Sequence, residues 1–345
     1  MRENGPITYR DAGVDRDTAR RAKDRILELL ESTRTADVVP NPGGFGGLLR
    51  VPLDVERPLL VSSADGVGTK LKVAMMAGRH DTVGHDLVNH CVNDILVEGA
   101  RPLMFLDYVG MGKLEAGVVE QLVAGVAAGC RENGCALVGG ETAEMPDFYA
   151  PGEYDLAGFI VGVVSETARP GAHNVREGDV LLGLASNGFH TNGYTLVRRI
   201  VFDRLGLSPD SEFPGTGRTV ADELLRVHRS YLKPVHPLIV DGSIHALAHI
   251  TGGGIPENLD RVIPDGLQAR VQKAAWTPGP EFLAMKEASG ADDDELYRTF
   301  NMGIGLVLVV AAANADAVVR RLEQSGEVVH PIGQIVRGDE KVVLV

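Results

Sequence analysis

Leu59-Leu60-Val61-Ser62-Ser63-Ala64-Asp65-Gly66-Val67-Gly68-Thr69-Lys70 is the stretch on which the fold turns. An apolar run at 59–64 predicts a short strand, and 69–77 predicts a helix. The two are joined by a turn with glycines at 66 and 68. Such a junction brings backbone N–H groups to the start of a helix, where an anion is favoured. Lys70 adds a point charge suited to phosphate, and Asp65 offers hard oxygen to Mg²⁺. The spacing is not that of GxxxxGK[ST], so a plain tight turn remains the alternative.

Outward from this junction, strands are predicted at 103–109, 136–138 and 156–164, with helices at 17–31, 86–98 and 117–131. A second alternating set follows a turn-rich segment at 166–178. It has strands at 180–185, 268–272, 305–310 and 329–336, and helices at 194–205, 220–229, 231–240 and 315–323. The pattern predicts an α/β fold of the α+β type with two mixed-sheet domains, residues 1–168 and 169–345. Residues 40–47 are too rich in Pro and Gly for regular structure. They predict a mobile loop that closes over a ligand, with Gly43, Gly44 and the aromatic anchor Phe45.

Composition narrows the function. The 345 residues are 44% apolar and 23% charged, an ordinary globular mixture, with 42 glycines. The formal net charge of −13 argues against sequence-independent nucleic-acid binding and against docking on an anionic membrane. The three cysteines, Cys91, Cys130 and Cys135, form no CxxC pair and read as reduced core thiols of a cytosolic protein. The polar start at 1–15 has no signal-peptide character, so the expected location is the cytoplasm.

Four more stretches carry chemistry. Asp86, His90 and Asp94 recur at four-residue steps and share a helix face, which suits Mg²⁺ or merely a solvated surface. Gly139-Gly140-Glu141-Thr142-Ala143-Glu144 follows a short strand, where α/β folds build sites, and Glu141 is its favoured functional group. Ser186-Asn187-Gly188-Phe189-His190-Thr191-Asn192-Gly193 joins a strand to a helix and is dense in donors. Its Ser186, Asn187, Gly188, Thr191 and Asn192 suit a polar substrate group, and His190 suits proton exchange or charge stabilisation. Thr251-Gly252-Gly253-Gly254 is a similar turn, whose Gly252 and Gly253 cradle phosphate or simply redirect the chain.

These stretches together resemble the AIR synthetase family. The resemblance includes Tyr9-Arg10-Asp11-Ala12-Gly13-Val14-Asp15, residues 65–70, Asp94 with Gly99, Ala100 and Pro102, residues 139–146, 186–193, 252–254 and 297–301, and runs from about residue 8 to the C-terminus. It implies a homodimer in which the N-terminal domain pairs with its mate into a β-barrel. It also implies ATP and Mg²⁺ as cofactors, with formylglycinamidine ribonucleotide as the small-molecule substrate. The reaction implied is ring closure to 5-aminoimidazole ribonucleotide, with release of ADP and phosphate.

Carried across by residue, Asp65, Gly66, Val67, Gly68, Thr69 and Lys70 bind nucleotide, and Asp65 and Asp94 hold the metal. His190, Asp94, Glu141 and Lys70 are the catalytic set. In the first helix, Leu27 stands where the family pattern has a lysine, and Lys23 lies one turn earlier. Related families fit less well: selenophosphate synthetase needs a reactive Cys in its N-terminal segment, and the hydrogenase-maturation relative ends in Cys. A kinase for thiamine monophosphate would not match 139–146 and 186–193 so closely. A non-catalytic nucleotide-binding regulator would be expected to lack Asp65, Asp94 or Lys70.

Overall fold

A computed structural model describes residues 25–41, 44 and 46–345. Tyr9–Asp15, Lys23, Gly43 and Phe45 lie outside them. Residues 25–31 form α1, and Val38–Val39 (β1) pairs with Leu48–Leu49 (β2). Gly44 donates its N–H to the Asn41 carbonyl.

The first large sheet contains β3 (Pro58–Gly66), β4 (Arg101–Met111), β5 (Ala136–Glu144) and β6 (Tyr154–Ser165). Its order is β3-β6-β4-β5, with only β4 and β5 parallel. Between these strands run α2 (Lys70–Ala77), α3 (Asp81–Leu96) and α4 (Ala116–Asn133). Strand alternation puts Val61, Ser63 and Asp65 on one face with Leu156, Gly158, Ile160, Phe105 and Asp107. That face packs against α3, whose Leu87, Cys91 and Ile95 are fully buried. The other face carries Ser62, Ala64, Phe159, Val161, Met104, Leu106, Tyr108 and Glu141.

The second large sheet has order β12-β9-β11-β7-β10-β8. Its strands are β7 (Val180–Ala185), β8 (Ala246–His249), β9 (Leu267–Val271), β10 (Ile304–Val310), β11 (Val329–Arg337) and β12 (Val342–Leu344). Only β12 and β9 are parallel. The helices of this half are α5 (Tyr194–Arg198), α6 (Val220–Leu224), α7 (Leu232–Val240), α8 (Gly254–Asp260), α9 (Pro280–Ser289), α10 (Asp293–Thr299) and α11 (Ala315–Gln324). A π-helical stretch, Arg199–Arg204, extends α5. Buried apolar side chains from both sheets form one connected core. The three cysteines are unpaired and buried in it.

Two predicted elements are corrected. The strand expected at 136–138 runs on to Glu144, so the paired glycines lie inside β5 rather than in a connection. Gly140 sits opposite Asp107 of β4, and a Cβ there would meet Asp107 Oδ1 at 1.7 Å. The glycine therefore makes room for a carboxylate. The helix expected at 220–229 stops at Leu224. Beyond it the backbone is held by side chains of the first half. The carbonyls of Arg226, His228 and Arg229 accept from Lys70 Nζ, Asn89 Nδ2 and Asn93 Nδ2 at 2.7, 2.8 and 2.8 Å. Asp86 Oδ1 accepts from His228 N at 2.6 Å. These bonds replace the helical ladder that residues 225–230 would otherwise form.

Asp107 carries a measurable consequence. Its Oδ2 is shut from solvent without a hydrogen-bond partner, and burial pushes its pKa up to about 7. Below its unfolded value of about 3.9 the acid is neutral in both states, and no penalty exists. Between there and about pH 7 the folded protein holds the extra proton, so stability falls as pH rises. Asp107→Asn is expected to flatten this decline and to be more stable than wild type at pH 8. The gain is at most about 4 kcal/mol, because each tenfold rise in proton affinity corresponds to about 1.4 kcal/mol. Urea midpoints at pH 5 and pH 8 check it; equal pH slopes in the two proteins would contradict it.

Candidate functional site

Asp65 stands at the end of β3, and Asp94 lies in the last turn of α3 on the helix face toward it. His90, one turn before Asp94, links them. Its Nε2 is 3.0 Å from Asp65 Oδ2 and 3.6 Å from Asp94 Oδ2. His249, at the end of β8, donates from Nδ1 to Asp94 Oδ1 at 2.9 Å. Ser63 Oγ donates to Asp94 Oδ2 at 3.3 Å. The hydrogen bond from His90 holds the Asp65 carboxyl below its ordinary pKa. Burial raises Asp94, but the bond from His249 and the charge of His90 outweigh it, so the net shift is downward. Both are acceptor-only carboxylates at neutral pH. Burial also opposes protonation of His90, yet Asp65 and Asp94 raise its pKa overall.

These carboxylates open on a cleft of about 610 Å³ between the two halves, lined also by Glu98, Arg169, His173, His249, Thr251, Asn258 and Arg261. One end is acidic at Asp65 and Asp94; elsewhere Arg261 supplies positive charge, while Arg169 is paired with Glu98. A second cavity, of about 490 Å³, is lined by Gly68, Thr69, Thr191, Asn192, Gly193, Tyr194, Arg199 and Thr299. His90 joins the two, because its Nδ1 is 2.7 Å from Thr191 Oγ1. Behind them His190, His228 and His249 complete a buried cluster of four imidazoles. His190 and His228 stack with ring centroids 4.0 Å apart.

The structure therefore gathers Asp65 and Asp94, and it brings Gly68, Thr69, Thr191 and Asn192 to one neighbouring cavity. Gly66 pairs with Ala157 inside the sheet, and Val67 is core. Other predicted residues do different work. Lys70 is wholly buried and bonds Asp86 Oδ1 at 2.9 Å, the His190 carbonyl at 3.1 Å and the Arg226 carbonyl at 2.7 Å. All three N–H groups are used, so the reading of Lys70 as a phosphate ligand is corrected: it ties the 65–70 turn to the second half.

His190 lines neither cavity. It is 2% exposed, and burial holds its pKa well below the ordinary value. Its φ of 59° is the left-handed region. Ser186 and Asn187 face inward and brace their own turn. Ser186 Oγ is 3.0 Å from Asn301 Oδ1, and Asn187 Nδ2 donates to the Val227 carbonyl at 2.6 Å. The Gly188 carbonyl accepts from Asn301 Nδ2. Gly252 and Gly253 turn the chain beside Thr251, and both cavities are lined without them. Glu141 stands exposed on the sheet face opposite to Asp65, across from Tyr108, so within one chain these two carboxylates do not share a site.

His228, His249, Arg169 and Arg261 are functional candidates that the sequence does not reveal. No local pattern marks them, and only the meeting of the two halves brings them together.

Comparison with known proteins gives the family. The family model described as AIR synthase related protein, N-terminal domain, matches residues 47–164, and its C-terminal counterpart matches 176–345. A phosphoribosylformylglycinamidine cyclo-ligase of Trichlorobacter lovleyi is 49% identical over 95% of this chain and 94% of its own. Proteins of the same name from Alkaliphilus metalliredigens (45%, 98% of each chain) and Xanthomonas oryzae pv. oryzae (48%, 97% and 99%) are similar along the same length. Among solved structures, thiamine-monophosphate kinase from Stenotrophomonas maltophilia shares the fold, with a TM-score of 0.68 at 17% identity over 94% of each chain. The chain belongs to the AIR synthase related family, among the phosphoribosylformylglycinamidine cyclo-ligases.

Proposed function

We propose that the protein converts formylglycinamidine ribonucleotide to 5-aminoimidazole ribonucleotide at the expense of ATP, with release of ADP and phosphate, in purine biosynthesis. The observation that carries the reading is the convergence of Asp65 and Asp94 on one cleft, each bonded to an imidazole, in a chain related over 95% of its length to a cyclo-ligase. The amide oxygen of the formyl group is a poor leaving group. Phosphorylation makes it a good one, and the ribose-bearing nitrogen then attacks the same carbon to close the ring. The closure is intramolecular, so positioning supplies much of the rate.

Asp65 and Asp94 fit Mg²⁺: both are ionised oxygen donors on the cleft, each oriented by an imidazole. When bound there, the ion would neutralise triphosphate charge. His90 and His249 position the two carboxylates, Lys70 anchors the turn behind them, and Thr69, Thr191 and Asn192 present polar groups to the adjoining cavity. Residues 1–168 and 169–345 form the two domains of this reading, and a cytoplasmic location suits an enzyme of soluble ribonucleotides. Incubation with substrate, ATP and Mg²⁺ is expected to give ADP and aminoimidazole product in equal amounts. Equal ADP release without the ribonucleotide would overturn the assignment.

The active species is a homodimer, joined through the first sheet. Its helix-free face exposes Leu60 (67%) and Phe159 (40%), beside partly exposed Met104, Leu106 and Val161. An apolar sheet face of this kind calls for a cover, and a second copy closing it gives the barrel. Phe159→Glu is expected to shift the protein to monomer in light scattering coupled to gel filtration; an unchanged dimer mass would contradict this interface.

A further inference from the structure

We propose that His190, His228 and His249 form a binding site for a transition-metal cation of the zinc type, distinct from the carboxylate site for Mg²⁺. One ring nitrogen of each lies within 4.8 Å of the other two, and all three side chains are buried. Two of them already stand near metal-ligand spacing: His228 Nε2 is 3.1 Å from His249 Nε2. Two zinc–nitrogen bonds of about 2.0–2.1 Å at a tetrahedral centre put their nitrogens roughly 3.3 Å apart.

The far side of each ring is committed. His249 Nδ1 meets Asp94 Oδ1 at 2.9 Å, and His228 Nδ1 meets Thr191 Oγ1 at 3.2 Å. The Asp94 carboxylate only accepts, so it holds the proton of His249 on Nδ1 and leaves the Nε2 lone pair free, which is how metal-binding imidazoles are oriented. The Asn93 amide N–H, 3.2 Å from His228 Nε2, marks that nitrogen as an acceptor too, so two acceptor nitrogens face each other at 3.1 Å. His190 brings the third nitrogen. Its Nδ1 is buried without a hydrogen-bond partner.

The surroundings permit the charge. All three rings are buried, and a buried imidazole is favoured in the neutral form that ligates. Lys70 is neutralised by Asp86, and Asp94 places a carboxylate behind His249. Asn93 Nδ2 is 3.2 Å from His228 Nε2 but also donates to the Arg229 carbonyl at 2.8 Å, so it keeps a partner when a cation arrives. Entry is from the large cleft, which His249 lines. Imidazole nitrogen selects zinc-like ions, whereas Mg²⁺ takes oxygen.

The test needs no turnover, so its outcome is separate from that of the ligase assay. Chelator-treated full-length protein in excess Mg²⁺ is titrated with Co²⁺. The expected result is one ion per chain, with the strong visible bands of a four-coordinate centre, displaced by Zn²⁺. His228→Gln and His249→Gln should each weaken binding at least tenfold, while His330→Gln leaves it unchanged. If a variant fails to fold, ¹⁵N spectra of wild type replace it: Zn²⁺ should shift ring nitrogens of His190, His228 and His249 together. No stoichiometric binding would overturn the site, as would wild-type affinity in folded His228→Gln. Weakly absorbing, six-coordinate Co²⁺ that more Mg²⁺ displaces would place the ion on Asp65 and Asp94 and would equally overturn it.

Discussion

Lys70→Ala is expected to destabilise the protein by about 3–5 kcal/mol, the cost typical of breaking a buried ion pair from one side. Lys70 and Asp86 are both fully buried, with Nζ 2.8 Å from one carboxylate oxygen and 2.9 Å from the other. Burial drives Lys70 down and Asp86 up in pKa, each opposed by the other's charge. Removing the amine leaves Asp86 unmatched and frees the carbonyls of His190 and Arg226, on the far side of the interface between the halves. Urea unfolding checks the loss. The double variant Lys70→Met with Asp86→Leu should regain only the part due to the unmatched charge, because the His228 N–H and the carbonyls of His190 and Arg226 stay without partners. A wild-type urea midpoint for Lys70→Ala would contradict the anchoring role and return Lys70 to the phosphate-binding role read from sequence.

Asp94→Asn is expected to lower kcat by about 10²–10³, the range for removing one preorganised electrostatic group from an active site. The amide keeps the size of the carboxylate and can still accept from His249 Nδ1, so the fold should persist. It removes the charge that, in the proposed function, the cleft offers a magnesium nucleotide. The loss should therefore appear in turnover and in the Mg²⁺ dependence, with little change in urea midpoint. Steady-state kinetics at varied Mg²⁺ measure this, and wild-type kcat in a folded Asp94→Asn protein would remove the residue from the reaction.

The contrast between Asp94 and Lys70 shows what is legible in sequence. The strand at 58–66 and the helix at 70–77 emerge within about two residues of their predicted ends, because apolar pattern and glycine punctuation are local signals. Asp94 stands out through its four-residue spacing from His90, also local. Lys70 sits in the same predicted motif, yet its partners lie 16, 120 and 156 positions away, so its burial has no trace in nearby residues. Gly139 and Gly140 read as following a strand rather than lying inside it for the same reason: the cause of Gly140 is Asp107 on the neighbouring strand. The segment 225–229 reads as helical from sequence, but side chains of α2 and α3 claim its backbone bonds. His228 and His249 stand on different elements, and only the packing of both halves makes them one cluster.

In the proposed function Asp65 and Asp94 hold the metal of the nucleotide, and every other assignment in the cleft depends on that proposal. Crystals grown with Mn²⁺ in place of Mg²⁺ and a non-hydrolysable ATP analogue test it most directly. The predicted result is an anomalous manganese peak in contact with both carboxylates, with triphosphate density in the cleft beside His249. A manganese–triphosphate complex bound elsewhere on the chain, with Asp65 and Asp94 untouched, would contradict it.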